Sequence, residues 1–212
     1  MSDYWQVEPH RNNHTVAILA CGPSRNLVDL QSLRKSKIFT IAINDSYKIA
    51  PWADLLYFCD LPWWNSRRDD IRATFYGSVA TLENDIPGVR RLRNTGPTGL
   101  DTDPECLRHG SNSTYQCIHL AYHLGAKRII VYGLDMRVPP GGNMHAEPRP
   151  EHRSPNEFHR VLTEVMLPKF NTLAEPLRLA GVEVINASPG SALKIWPIVE
   201  TGWHLKAQST RG

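Results

Sequence analysis

Chemistry in a strand-and-helix protein gathers beyond the carboxyl ends of its strands, and several polar residues here directly follow apolar runs. Gly22, Pro23 and Ser24 follow TVAILAC. Glycine lets the backbone approach a ligand, and the free N–H groups of a helix start bind phosphate. The same three residues also make an ordinary strand–helix turn, with Ser24 as a cap. Asn44 follows IFTIAI. Its amide suits a base or sugar, and equally a helix cap. Asp60 follows LLYFC and precedes Pro62-Trp63-Trp64. A carboxylate beside two indoles fits a ligand wall, or a surface loop beside core tryptophans. Asp135 and Arg137 follow RIIVYGL, and arginine neutralises a departing phosphate. Beyond them the loop carries His145, Glu147, His152 and Arg153. Either histidine suits a general base, since imidazole titrates near neutrality. Gly110, Ser111 and Asn112 open a helical segment and form a second candidate anion nest, or a simple cap. Asn186, Ser188, Gly190 and Ser191 line the crevice or make a turn.

Other groupings point away from chemistry. His119 and His123 stand four apart without the glutamate of a zinc-protease helix, so packing is the expected role. The Asp101/Asp103 pair lies in an irregular stretch, which favours metal independence. Cys21, Cys59, Cys106 and Cys117 form no CxxC pair and read as reduced thiols. Arg90, Arg91 and Arg93 form a basic cluster that fits a solvated face, or with Trp63 and Trp64 a nucleic-acid acceptor.

The elements that must position these residues follow from the apolar pattern. Most of the runs at 15–20, 38–43, 55–59, 78–82, 128–132 and 182–185 are continuous rather than alternating, as in parallel strands covered on both faces. Residues 27–33 suit a short helix, and STYQCIHLAYHL at 113–124 is a clear one, capped by Gly125. Ser154-Pro155-Asn156-Glu157 is a capping box leading into a helical pattern at 158–179, which Pro168 and Pro176 should break or kink. The expectation is an α/β fold: a single Rossmann-like domain with a mostly parallel sheet, flanking helices and a lid loop. Residues 1–14 would be an N-terminal arm, 15–205 the nucleotide-binding transferase domain and 206–212 a flexible tail. Two stretches escape the pattern, 84–110 and 137–153. The second follows a strand end, which suits a lid.

Composition bounds the rest. The 212 residues are 41% hydrophobic and 21% charged, enough for a core, with a net charge of +3. That balance permits an anionic ligand without indicating nucleic acid. No run is long enough to span a membrane, and the N-terminus lacks a secretory pattern, so the expected location is cytoplasmic.

Four fragments, VAILACGPSR, IAINDSY, GSNSTYQCIHLAYHLGAKRIIVYGLDM and EVINASPGSAL, together resemble one superfamily. It contains the family 42 glycosyltransferases, which are bacterial sialyltransferases, and a group related to 6-hydroxymethylpterin diphosphokinase. The resemblance spans roughly residues 15 to 197. The chain with its PWAD segment is also similar to bacteriophage proteins. The resemblance implies a nucleotide-binding transferase whose donor contacts are Gly22, Ser24, Asn44, Gly110, Ser111 and Asn112. It implies a histidine base, His145 or His152. Arg137 and Asn143 stand where the sialyltransferases carry tyrosines, and GSNS replaces their SGG-type stretch, so the donor pocket differs.

The expected function is a metal-independent glycosyltransferase that uses a nucleotide-sugar donor and requires no cofactor. One alternative is a magnesium-dependent phosphotransferase acting on a nucleoside triphosphate, its metal held by Asp60 and Asp135. Another is a non-catalytic nucleotide-binding module. The acceptor is open, with nucleic acid among the candidates, no membrane partner is expected, and a homo-oligomer is allowed.

Overall fold

The computed structural model describes residues 3–9, 15–138, 145 and 154–202. Its eight strands make one sheet: β1 (Thr15–Leu19), β2 (Phe39–Ile43), β3 (Leu55–Phe58), β4 (Ser78–Leu82), β5 (Arg90–Asn94), β6 (Cys106–Leu107), β7 (Arg128–Tyr132) and β8 (Glu183–Asn186). Every pairing is parallel, in the order β6-β5-β4-β3-β2-β1-β7-β8. The fold is therefore Rossmann-like α/β.

Alternate residues of the central strands enter opposite cores. Val16 and Ile18 of β1 face one, with Ile129 and Val131 of β7; Ala17 and Leu19 face the other, with Ile130 and Tyr132. The first core is covered by α3 (Ser113–His123) and α5 (Leu167–Leu179), through residues such as Ile118, Leu120, Phe170 and Leu173. The second is covered by α1 (Leu30–Lys35) and α2 (Leu61–Thr74), through Leu33, Trp64 and Ile71. Burial on both faces explains why these strands lack polar alternation.

Some expectations shift. The early helix is two pieces: a 3-10 turn at Pro23–Leu27, then α1 with Asp29 as its cap, accepting from the Ser32 N–H. Ser24 is therefore not a cap of the next helix. The stretch at 84–110 holds two strands. β5 escapes a hydrophobic reading because Leu92 is its only buried residue. The proline-bearing segment runs as α4 (Pro155–Arg160), a π-helical turn at Val161–Met166, then α5. The wide turn precedes Pro168, which falls in the first turn of α5 and needs no N–H there. Pro176 sits inside α5 without ending it. The box at Ser154 and Glu157 forms as expected.

Residues 3–9 lie along the sheet. The Trp5 N–H donates to Arg91 C=O at 2.7 Å, and the guanidiniums of Arg90, Arg91 and Arg93 lie over Trp5 and Tyr4 at 4.4–4.8 Å. The basic cluster is thus a strand stacked with aromatics rather than a loop face. The four cysteines are free thiols, Cys106 and Cys117 fully buried. No described helix is long and apolar enough to cross a membrane.

Candidate functional site

From β1 the chain steps outward through β2 to β6, and α3 then carries it back to β7 on the other side of β1. The order reverses between β1 and β7, which opens a crevice beyond their carboxyl ends. A cavity of about 220 Å3 lies there. Gly22 after β1, Asn44 after β2, Ser111 and Asn112 before α3, and Asp135 and Arg137 after β7 all line it. His145 also lines it, its ring 6.0 Å from that of Phe158. His152, Glu147, Arg153 and Asn143 lie outside the described residues.

The turn after β1 is closed on itself. The Gly22 N–H donates to Gly133 C=O at 2.9 Å, and the Ser24 N–H and Oγ both donate to Asp135 Oδ2, at 3.2 and 2.9 Å. Pro23 has no N–H to offer. A carboxylate of the protein therefore occupies the place expected for a phosphate. Burial pushes the Asp135 carboxyl up, against the two Ser24 bonds that lower it. Gly22 is required for packing: a Cβ there would overlap Asp135 Oδ2 and Gly133 C=O. Asp135 is fixed from behind by the turn after β8. Ala192 N–H donates to its carbonyl at 2.8 Å, and Ser188 and Ser191 bind the N–H and C=O of Leu134. Those two serines, read as crevice or turn, make the turn.

The start of α3 is also largely capped from within. Asn112 Oδ1 accepts from the N–H groups of Thr114 and Tyr115, at 2.8 and 3.3 Å. The Ser111 N–H donates to His109 Nδ1 at 3.0 Å, and Lys169 Nζ donates to Ser111 Oγ at 2.5 Å. Burial lowers the His109 pKa, and the Lys169 charge adds to that. Gly110 is buried with φ +57, and a Cβ would overlap the Tyr115 ring. It shapes the turn without lining the cavity.

Asn44 is different. Its backbone is left-handed at φ +46, and its Oδ1 is buried with no hydrogen-bond partner among the described residues. Ser111 and Met136, with φ +56 and +50, also line the cavity. Of five described non-glycine residues with positive φ, three thus border one crevice. Such backbone persists where surroundings over-determine it, typically at binding sites. Arg137 adds an exposed guanidinium with no ion pair or hydrogen bond among the described residues.

Other candidates stand elsewhere. Asp60 is exposed at the start of α2, makes no capping bond and does not line the cavity. β3 and β7 are three strand spacings apart, about 14 Å at about 4.8 Å per step, so the strand ends that carry Asp60 and Asp135 are well separated. Trp64 stacks on Phe58 at 4.7 Å, and Trp63 packs against Phe58 and Tyr47. Trp64 belongs to the core and Trp63 packs, partly buried, against it; neither lines the cavity. Pro23 and Ser24 face a neighbouring cavity instead. His119 and His123 hold the 101–108 backbone, and no cluster of three metal-ligating side chains occurs among the described residues.

The sequence reading missed one wall. Phe158, Leu162 and Met166 close the cavity from α4 and the π-helical turn. Their spacing of four was visible as a helical stripe, but nothing in it distinguished a cavity wall from core packing. No family model, no curated protein and no solved structure matches the chain.

Proposed function

We propose that the chain is a nucleotide-dependent transferase, working as an inverting glycosyltransferase on a nucleotide-sugar donor. The observation that carries this is the combination at the switch point: Asn44, strained and with its amide oxygen unmatched among the described residues, shares one cavity with the exposed cation Arg137 and the imidazole of His145. The Asn44 amide would meet the nucleoside. The closed turn at Gly22 and Ser24 moves the donor phosphate away from β1, toward Arg137.

In this reading neutral His145 accepts the proton of an acceptor hydroxyl. The hydroxyl oxygen attacks the anomeric carbon, and the bond from that carbon to the phosphate oxygen breaks. The electron pair leaves with the phosphate, which Arg137 neutralises. The apolar wall of Phe158, Leu162 and Met166 would keep water out. The phosphotransferase alternative would need metal ligands other than the separated pair Asp60 and Asp135.

Calorimetry with cytidine and uridine nucleotides and their sugar conjugates tests the reading. Binding is expected in the wild type, with at least tenfold weakening in Arg137→Ala for phosphate-bearing ligands. Absence of any nucleotide binding by the folded chain would overturn it.

A further inference from the structure

A second cavity, of about 240 Å3, lies against the first. Pro23, Ser24 and Leu27 wall it from the 3-10 turn after β1, and Pro189 from the turn after β8. Asp135 and Arg137 complete it, and these are the only two residues it has in common with the first cavity. We propose that this second cavity binds an apolar-bodied anion, a molecule with an aromatic or aliphatic body and one carboxylate or phosphate. The assignment of that molecule as the acceptor rests on the transferase reading above, which requires it to carry a hydroxyl as well.

Three observations carry the pocket. First, its walls are built. The 3-10 turn is tied to Asp135 through Ser24. Thr201 Oγ1 donates to Leu27 C=O at 3.0 Å. On the far side, Ser188 and Ser191 tie the Pro189 turn to Leu134. Second, Leu27 is 62% exposed. A large apolar side chain left in solvent beside two prolines, on a segment anchored at both ends, offers a surface for an apolar body. Third, the exposed charge in the wall is the cation. Arg137 has no ion pair or hydrogen bond among the described residues, and its guanidinium rests against the Gly190 backbone, where a Cβ would stand 3.0 Å from it. The one carboxylate in the wall, Asp135, is near enough for the Arg137 charge to lower its pKa, but it is buried, its Oδ2 is held by Ser24, and no ion pair of salt-bridge length joins the two. An exposed guanidinium whose acidic neighbour in the wall is buried and already bonded favours an anion.

Group transfer needs two molecules meeting at one place, and the seam at Asp135 and Arg137 is where these cavities meet.

The test uses the full chain, with benzoate, phenyl phosphate and phenol as probes in ligand-observed NMR titrations. Cytidine and uridine mono- and diphosphates are titrated in parallel. Benzoate and phenyl phosphate should bind, the preference between them showing which anion is taken, and phenol should bind at least tenfold more weakly. Leu27→Glu, on an exposed side chain, should weaken both anions at least tenfold and change nucleotide affinity less than twofold. Leu27→Met should bind like the wild type. Unchanged anion binding in Leu27→Glu, or phenol binding as tightly as benzoate, would overturn the proposal. If nucleotides bind and neither aryl anion does, the pocket fails and the transferase reading stands. If the aryl anions bind in a Leu27-dependent way and no nucleotide does, the pocket stands and the transferase reading fails.

Discussion

Two regions of this molecule are polar, irregular and rich in left-handed backbone, and they treat their polar groups in opposite ways. In the stretch from Thr95 to His109 the groups answer one another, the buried Arg108 Nε excepted. The Arg108 N–H donates to His119 Nδ1 at 3.3 Å, and His119 Nε2 lies 2.9 Å from Asp101 C=O. Thr95 Oγ1 donates to Asp101 Oδ2 at 2.7 Å, which holds that carboxyl below its ordinary range, and Arg108 pairs with it at 3.1 Å. At the rim of the switch-point cavity, Asn44 Oδ1 and the Arg137 guanidinium make no hydrogen bond among the described residues. Unmatched polar groups beside a cavity are what a ligand can complete; matched ones hold a fold together. The contrast predicts that damage to the first region lowers stability and spares binding, and that damage to the second does the reverse.

The largest effect belongs to His119. It is fully buried, and its ring holds two backbone segments. His119→Ala would leave the Arg108 N–H and the Asp101 C=O without partners and open a cavity. The expected loss is about 4 kcal/mol in urea unfolding. Nucleotide affinity of the folded fraction should not change. A loss under about 1 kcal/mol would break the comparison at its stable end.

Acid should act through the same residue. Burial lowers the His119 pKa from 6.5 to about 4. Between those values the unfolded chain binds a proton that the native chain excludes, so stability rises with pH there. The contribution is therefore full above about pH 6.5 and lost as pH falls toward 4. It amounts to about 3 kcal/mol at about 1.36 kcal/mol per unit. His123 and His109, also lowered by burial, act in the same direction. Urea midpoints that stay flat from pH 7 to 4.5 would show that His119 is not held neutral.

His145 provides the opposite case. Its ring lines the cavity beside Phe158 and is only partly buried. His145→Ala should lower turnover by about a hundredfold, the scale of a general base, with the melting temperature and donor affinity little changed. Full turnover in this variant would remove the base from the mechanism.

Much of the fold was legible because parallel strands covered on both faces must be continuously apolar, and the runs ending at Ala20, Ile43, Cys59 and Tyr132 are. β5 was not legible, since one buried leucine among arginines leaves no period to read. The positions around the site were legible from strand ends, and Gly22, Asn44, Ser111, Asn112, Asp135, Arg137 and His145 do converge on one cavity. What each does was not. Gly22 and Ser24 look like a phosphate cradle because a cradle and a self-closed turn use the same residue types. Only the meeting with Asp135, 111 positions away, separates them. The stripe of Phe158, Leu162 and Met166 was likewise ambiguous, because helical spacing is the same over a core and over a cavity.

The smallest and most discriminating effect concerns Asn44. A left-handed conformation disfavours a non-glycine residue by roughly 1–2 kcal/mol, less for asparagine. Asn44→Ala therefore adds strain while removing a buried, unmatched oxygen, and the two changes oppose one another. Net stability should move by less than about 1 kcal/mol. Asn44→Gly relieves the strain and should raise stability by up to about 1 kcal/mol. If the amide is there for a ligand, both variants lose the same contact, and nucleotide affinity should fall about tenfold in each, equivalent to about 1.4 kcal/mol. Stability and affinity would then move independently: alanine and glycine differ in the first and agree in the second. Should affinity instead follow stability across the two variants, or stay at the wild-type value in both, Asn44 would be a turn residue. The difference between the two regions would then not be one between structure and function.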